Sequence, residues 1–116
     1  MGAKVYSAKG KKEFPTEYII NELTKYDVAT LVDHVEKEHV DGKVTFLCFE
    51  KFYFRTSSSA ALTIMASESN GVTDVEVVSL AGGEGLFNIS WGANKDFAQK
   101  IIEALQRVGF EIVEKF

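Results

Sequence analysis

The sequence predicts an α+β fold, a two-layer sandwich in which a mainly antiparallel sheet of about five or six strands carries two helices on one face. Two observations support it. Apolar, β-branched and aromatic residues dominate the successive extended segments between Gly42 and Trp91. Apolar residues at three- and four-residue spacing, which is typical of amphipathic helices, occur before and after this block.

The N-terminal part of the chain predicts a strand followed by a helix. Val5 to Ser7 favour a short strand, and the lysines and glycine that follow favour a turn. Pro15 suits the first position of a helix, because its missing N–H would have no partner there. Four apolar residues then recur at helical spacing: Ile19, Ile20, Leu23 and Tyr26.

The stretch after this helix allows two interpretations. Val28, Leu31 and Val35 fit one face of a helix, whereas Val28, Thr30 and Val32 fit one face of a strand. Periodicity alone leaves both open. The following Asp-Gly pair marks a turn in either case and favours a hairpin.

The middle of the chain predicts consecutive antiparallel strands. Asn70 and Gly71 indicate a tight hairpin, because both tolerate the positive φ of a type I′ turn. In the strand after this turn, the odd-numbered residues from Thr73 to Ser79 are predicted to face the core. Four segments are predicted to be strands: Val44–Arg55, Ala60–Ser67, Val72–Leu80 and Leu86–Trp91.

The C-terminal part predicts a helix and a final edge strand. Asn94 suits the N-cap and Gly109 the C-terminal end of this helix. Its apolar stripe comprises Phe97, Ile101, Leu105 and Val108. Phe110 and Ile112 alternate with polar residues and fit an edge strand. The element order is similar to the layouts called TATA-binding-protein-like and helix-grip, which carry no function with them.

Composition indicates a single domain, residues 1–116, and excludes several partners. The net charge is −4 with no basic run, which argues against nucleic acid and against anionic membranes. The apolar runs are far shorter than the roughly 20 residues of a membrane helix. The lone Cys48 cannot form an internal disulfide, and the N-terminus lacks the apolar region of a signal peptide, so we expect a cytoplasmic protein.

The glycine-rich segment after the third long strand is a weak candidate for phosphate binding. Gly82, Gly83 and Gly85 lead into strand-like residues rather than a helix, so we expect structural glycines in a tight connection or bulge. Gly92 and Asn94 open the last helix, whose N-terminus could accept an anion. The alternative is that Asn94 only caps the helix while Trp91 packs.

No metal site or cofactor is expected. His34 and His39 stand among acidic residues, but five residues place two side chains on opposite faces of a strand and about 140° apart on a helix. Cys48 lies on a Phe-rich strand face with no base nearby in sequence, so it fits a small hydrophobic residue better than a nucleophile.

Glu50 is the one local conflict in the strand pattern. Alternation places its carboxylate on the same face as Phe46, Cys48 and Phe52. If that face is buried, the carboxylate needs a partner or a proton. The alternatives are that the face is exposed near Glu50 or that a bulge rotates the side chain outward. Arg55 has the opposite parity and would pair with Glu50 only across such a bulge.

Three segments together resemble a small bacterial family known only as a domain of unknown function. They are Phe49–Arg55, Ala61–Thr63, and Gly82–Phe87 with Trp91–Ala93. The resemblance covers about residues 29–105 and implies a bacterial cytoplasmic setting, a strand rather than a helix before the hairpin, and no reaction. The chain departs from the family pattern at Ser59 and Ala61, where Arg and Ser are usual. The resemblance singles out Glu50, Lys51, Arg55, Gly82, Gly83, Gly85, Trp91 and Gly92.

Three functional hypotheses follow. The first is a non-catalytic domain that forms a homodimer or binds a protein, because the longest strand is apolar on both faces and a sheet covered by helices on one face needs only one apolar set. The second is a binder of a small apolar ligand, with a pocket between the sheet and the last helix and Glu50 as its polar anchor. Its lining would be Phe46, Phe52, Phe54, Phe97 and Ile101. The third is an enzyme that uses Glu50 as acid or base near Lys51, Tyr53 or Arg55.

Overall fold

The computed structural model describes residues 2–27, 29–53, 58–83 and 98–115, which contain six strands and two helices. A single turn of 3-10 helix follows the first helix. Leu86–Trp91 and the proposed cap Asn94 lie outside the described residues. In chain order the elements are β1 (Gly2–Gly10), α1 (Thr16–Thr24), β2 (Thr30–His39), β3 (Gly42–Tyr53), β4 (Ser58–Ser69), β5 (Val72–Gly83), α2 (residues 98–107 in its described part) and β6 (Glu111–Glu114).

The strands form one open antiparallel sheet in the order β2-β3-β4-β5-β1-β6. Strands β2 to β5 are neighbours in the sequence and in the sheet, as hairpin connections dictate. The β4–β5 turn is the predicted one, with φ of 53° at Asn70 and 77° at Gly71. The first strand then inserts between β5 and β6, a long-range pairing that no local signal in the sequence indicates.

The stretch that allowed a helix or a strand is strand β2 at the edge of the sheet. Its pairing with β3 shifts between Leu31, which faces Phe49, and Asp33, which faces Cys48. The extra residue, Val32, is therefore a β-bulge. A bulge reverses the alternation of side chains along a strand. Leu31 and Asp33 are two residues apart but therefore point to opposite faces of the sheet.

Both helices pack on one face of the sheet, which we call the covered face. Leu47 and Phe49 of β3 are fully buried there, beside Ile64 and Leu62 of β4. The helices contribute Ile19 and Leu23 of α1 and Ile101, Ala104 and Leu105 of α2 to the same core. The predicted α+β two-layer fold, with its helices on one face, is therefore confirmed. The predicted core positions of β5 are also confirmed, since Val75, Val77, Thr73 and Ser79 are buried.

The start of α1 and the end of α2 lie close to their predicted positions, whereas α1 ends at Thr24, before the predicted helical residue Tyr26. Pro15 is the N-cap of α1 rather than its first helical residue, one position from the prediction. Gly109 ends α2 as predicted, with φ of 93°, a conformation that favours glycine. The Phe110 N–H donates to the carbonyl of Leu105 at 3.0 Å, which closes the last turn before β6 begins.

Candidate functional site

The face of the sheet opposite the helices, which we call the open face, is the candidate functional site. It carries the alternate residues of all six strands, and helices α1 and α2 pack on the other side. Its middle is a cluster of apolar side chains, the apolar patch. The patch comprises Val35, Phe46, Cys48, Phe52, Ala61, Met65, Val78 and Leu80.

The apolar patch is only partly shielded from solvent. Phe52 is 50% exposed, Met65 47% and Leu80 45%. Large apolar side chains scattered singly over a surface are ordinary, whereas a contiguous group marks a binding surface. In register, Phe46 lies beside Met65 and Val35, so these three apolar residues are adjacent across β2, β3 and β4.

The part of the open face on β5, β1 and β6 is charged and internally paired. The Ser7 hydroxyl donates to Glu76, and the Lys115 ammonium contacts the same carboxylate at 3.0 Å. The hydrogen bond from Ser7 and the one from Lys115 hold the pKa of Glu76 below its usual range. Lys9 forms a second ion pair with Asp74 at 3.5 Å. These two ion pairs neutralise four of the charges in this region.

A groove of about 1010 Å³ lies along this charged part of the open face. Its walls include Ser7, Glu76, Met65 and Val113. The groove is wide open to solvent, so it adds concavity to the surface rather than forming an enclosed ligand cavity. The open face therefore combines the apolar patch with a depression whose walls carry both apolar and charged side chains.

The part of the open face on β2 and β3 carries two carboxylates beside the apolar patch. Asp33 faces Cys48 across the strands, and Glu50 lies two residues further along β3. Burial raises the pKa of the Cys48 thiol, and the charges of Asp33 and then Glu50 raise it further. An Asp33 oxygen accepts the backbone N–H of His34 at 2.9 Å. Within the described ranges neither carboxylate has an ion pair.

The structure decides which face of β3 belongs to the core. The Phe-rich set of Phe46, Cys48 and Phe52 is on the open face, and the core is built by Leu47 and Phe49 instead. Glu50 is accordingly exposed, so the buried ion network considered for it does not form. Of the alternatives that the sequence left open, the structure has the one in which this face is exposed near Glu50.

The apolar ligand pocket predicted between sheet and last helix is not assembled from its proposed residues. Phe46 and Phe52 lie on the open face, whereas Ile101 is buried on the covered face. The sheet separates them, because side chains of opposite parity point to opposite faces. Phe54 and Phe97 lie outside the described residues.

The other candidate residues that the structure describes do not converge on one site. Lys51 pairs with Ala60 on the covered face. Gly82 and Gly83 are strand residues at the end of β5, opposite Ser59 and Ser58. Five candidates lie outside the described residues: Arg55, Gly85, Trp91, Gly92 and Asn94.

His34 and His39 do fall on opposite faces of the edge strand β2. His34 faces Leu47 on the covered side, and its Nε2 lies 2.6 Å from Glu36, which lowers the pKa of that carboxyl. His39 faces Gly42 with the other parity. In the part of the chain that the structure describes, no group of three His, Cys, Asp or Glu side chains is placed to hold a metal ion. No helix there is long and apolar enough to cross a bilayer.

The sequence analysis did not predict that Ser7 and Lys115 both contact the carboxylate of Glu76. They come from three strands that are distant in the sequence, and their proximity depends on β1 inserting between β5 and β6. The only sequence signal is alternation, which shows that Glu76 points away from the core face of β5.

Comparison with known proteins identifies the family. Residues 4–109 match the model of a family of unknown function, DUF6054. The chain belongs to this family. The match covers more of the DUF6054 chain than the three segments that carried the resemblance, because it includes β1, α1 and the end of α2. We found no match for it among curated proteins and none among solved structures.

Proposed function

We propose that this domain is a non-catalytic module that self-associates, with the open face of the sheet as the contact between two copies. The observation that carries the proposal is the exposed apolar patch, in which Phe52, Met65 and Leu80 are each about half exposed. Burying apolar area contributes roughly 25 cal/mol per Å². A second layer on this face would recover that free energy.

The open face is large enough for a stable interface. Strands β3, β4 and β5 are each 12 residues long. At about 3.3 Å per residue and about 4.8 Å between strands, four strands present roughly 750 Å². A standard protein interface buries about 800 Å² per partner. Two such faces can pack as in β-sandwiches, with the strands within about 30° of one another.

The edges of the sheet are poorer contact surfaces than its face. The edge strand β2 contains the bulge at Val32 and four charged residues among its ten. Bulges and charges on edge strands oppose strand-to-strand pairing. The other edge, β6, has only four residues. These features favour face-to-face packing over extension of the sheet into a second copy.

A second copy fits the open face because four of its charges are already paired within the chain. Lys9 contacts Asp74, and Lys115 contacts Glu76. In a two-fold dimer the same surface meets itself, and charges paired in this way keep the repulsion between the two copies low. The bacterial, cytoplasmic setting that the family resemblance implies is part of the same proposal, and a lone cysteine is compatible with it.

The test is the oligomeric state of the wild type and of two lysine variants, measured by sedimentation velocity over a range of concentrations. Met65→Lys puts a charge into the apolar patch and should weaken association about 30-fold or more. Val40→Lys is the matched control, since Val40 is fully exposed in the β2–β3 turn, away from the open face. It should leave association unchanged.

Two results would overturn the proposal. One is a wild type that stays monomeric at the highest concentration reached, and the other is a dimer that Met65→Lys and Val40→Lys affect equally. If the wild-type protein is monomeric but Met65→Lys abolishes capture of a different protein, the open face is an interface for that protein and not for a second copy.

A further inference from the structure

The open face changes from apolar to charged along the direction of its strands. Near the C-terminal end of β3, which we call the apolar end, the described residues of the four middle strands are mainly apolar. They include Ala3, Phe52, Ala61, Val78 and Leu80. Nearer the β4–β5 turn, a row of neighbouring residues crosses all six strands and is mainly charged. In sheet order this charged row comprises Lys37, Val44, Ser67, Asp74, Lys9 and Glu111.

This change along the strands selects one orientation for two copies in contact. Two identical faces that pack on each other are related by a two-fold axis in the plane between them. An axis across the strands places the apolar end of one copy over the charged row of the other. An axis along the strands places apolar end over apolar end and charged row over charged row. Because apolar contact is favourable and the burial of charges against apolar groups is costly, the axis along the strands is favoured.

The area of the open face places this axis near the middle of the sheet. Four strands present only roughly 750 Å², and a standard interface buries about 800 Å² per partner. An axis near either edge would leave most strands uncovered. The middle of the strand order β2-β3-β4-β5-β1-β6 lies between β4 and β5. An axis there places β2 of one copy over β6 of the other, β3 over β1, and β4 over β5.

The two edges that this arrangement brings together carry opposite charges in the same order. From the apolar end towards the charged row, β2 carries Asp33 and then Lys37 on the open face. In the same direction the other edge carries Lys115 and then Glu111. Each acid therefore lies over a lysine of the other copy. A lysine side chain spans about one step of two residues along a strand, about 6.6 Å, so a modest angle between the sheets preserves the contact.

We propose, on the basis of the self-association proposed above, that the two open faces pack about a two-fold axis that runs along the strands between β4 and β5, with Lys37 of each copy against Glu111 of the other. The two-fold axis makes this contact occur twice in each dimer. Ion pairs at the rim of an interface mainly fix the orientation of the two partners, because a wrong orientation juxtaposes like charges. Lys115 is already bonded to Glu76 of its own chain, so Lys37 and Glu111 are the pair to test.

The experiment exchanges the two charges and measures the dimer dissociation constant of the full chain by sedimentation equilibrium at neutral pH and low salt, where screening is weak. Lys37→Glu and Glu111→Lys should each weaken the dimer about tenfold, because each replaces two attractive contacts by two repulsive ones. The double variant restores both contacts and should return to within about threefold of the wild type.

Coupling within one chain cannot produce this rescue. Lys37 and Glu111 lie on opposite edges of the sheet, five strand spacings or about 24 Å apart. Substitutions at that distance act independently on the stability of a single chain. If Glu111→Lys fails to fold, Lys37→Ala, Glu111→Ala and their double variant measure the same coupling. The double alanine variant should then weaken the dimer no more than either single variant does.

The general effect of charge is separated by a matched control. The net charge of the chain is −4, so Glu111→Lys reduces the overall repulsion between copies and would tighten the dimer if no local contact were lost. Glu17→Lys makes the same change of charge in the first turn of α1, on the other side of the sheet, and should not weaken the dimer.

The outcomes separate the two proposals. Rescue of Lys37→Glu by Glu111→Lys supports both. Effects that add in the double variant, or equal effects of Glu111→Lys and Glu17→Lys, overturn the arrangement and leave self-association standing. Rescue of Lys37→Glu by Asp33→Lys instead also overturns it, because β2 lies over β2 only when the axis runs across the strands. A wild type that stays monomeric at every concentration overturns both proposals.

Discussion

Replacing Phe49 and Phe52, two phenylalanines of β3 on opposite faces of the sheet, should give very different losses of stability. Phe49 is fully buried on the covered face, between Leu31 and Leu62 on the neighbouring strands. Phe49→Ala therefore leaves a cavity in the core and should reduce the free energy of unfolding by about 3–5 kcal/mol. Phe52 is 50% exposed on the open face.

The smaller loss for Phe52→Ala follows from its exposed fraction. A buried aromatic side chain removes about 200 Å² from water, so a half-exposed one removes about 100 Å², part of which alanine retains. At about 25 cal/mol per Å², the loss should be about 1–2 kcal/mol. Leu47→Ala, on the covered face, should resemble Phe49→Ala, with a loss of about 2–5 kcal/mol.

Urea unfolding followed by far-ultraviolet circular dichroism measures these differences, with all variants at one low protein concentration so that association contributes little. Equal losses for Phe49→Ala and Phe52→Ala, or a larger loss for Phe52→Ala, would show that the two faces of the sheet are assigned wrongly. A change in the denaturant slope would indicate altered compactness instead and would have to be excluded first.

Three further predictions concern stability. Thr45 is fully buried, and its hydroxyl oxygen has no hydrogen-bond partner within the described residues. Thr45→Val should therefore raise the melting temperature and stabilise the fold by about 1 kcal/mol. A lower melting temperature would show that the hydroxyl has a hydrogen-bond partner. Hydrogen bonds lower the pKa of Glu76, so the ionised carboxylate stabilises the fold above the ordinary pH range of glutamate titration. This stabilisation is lost as pH falls through the lowered pKa. Urea unfolding of Glu76→Gln should therefore show a loss of about 0.5 kcal/mol at pH 7 and no loss near pH 3. A Cβ on Gly42 would overlap a carbonyl oxygen of β4, whereas a Cβ on Gly71 would meet open space but would require a residue with φ of 77°. Thermal unfolding should show a loss of about 3 kcal/mol for Gly42→Ala and about 1–2 kcal/mol for Gly71→Ala. Equal losses would contradict the β3–β4 register.

The element types were largely predictable because they depend on local patterns. The Asn70–Gly71 turn, the end of α2 at Gly109 and the core positions of β5 are each set by residues close together in the sequence. Strand β2 was left open between strand and helix, because its bulge at Val32 interrupts the alternation that would have identified it. A pattern read at a fixed period fails where the chain inserts one residue.

The choice of core face in β3 could not be made from β3 alone. Phe46 and Phe49 have equally apolar neighbours along the strand, so alternation offers two apolar faces. The decision rests on other strands: Phe49 meets Leu62, whereas Phe46 meets Met65, which is followed in register by Glu76. The same dependence on long-range pairing explains why the Ser7–Glu76 contact had no sequence signal.

The two apolar faces of β3 also separate folding from association. Residues on the covered face, such as Leu47, are buried in a single chain, so their replacement lowers stability at any protein concentration. Residues on the open face, such as Met65, gain the rest of their burial only if a second copy covers them, so part of the loss on their replacement should appear only at concentrations where the dimer forms. Asp33 and Glu50 act on the same equilibrium in the opposite direction, since their charge opposes burial of the apolar patch beside them. Together, an apolar patch that favours contact and two carboxylates that oppose it would make the proposed self-association weaker than the apolar area alone would give.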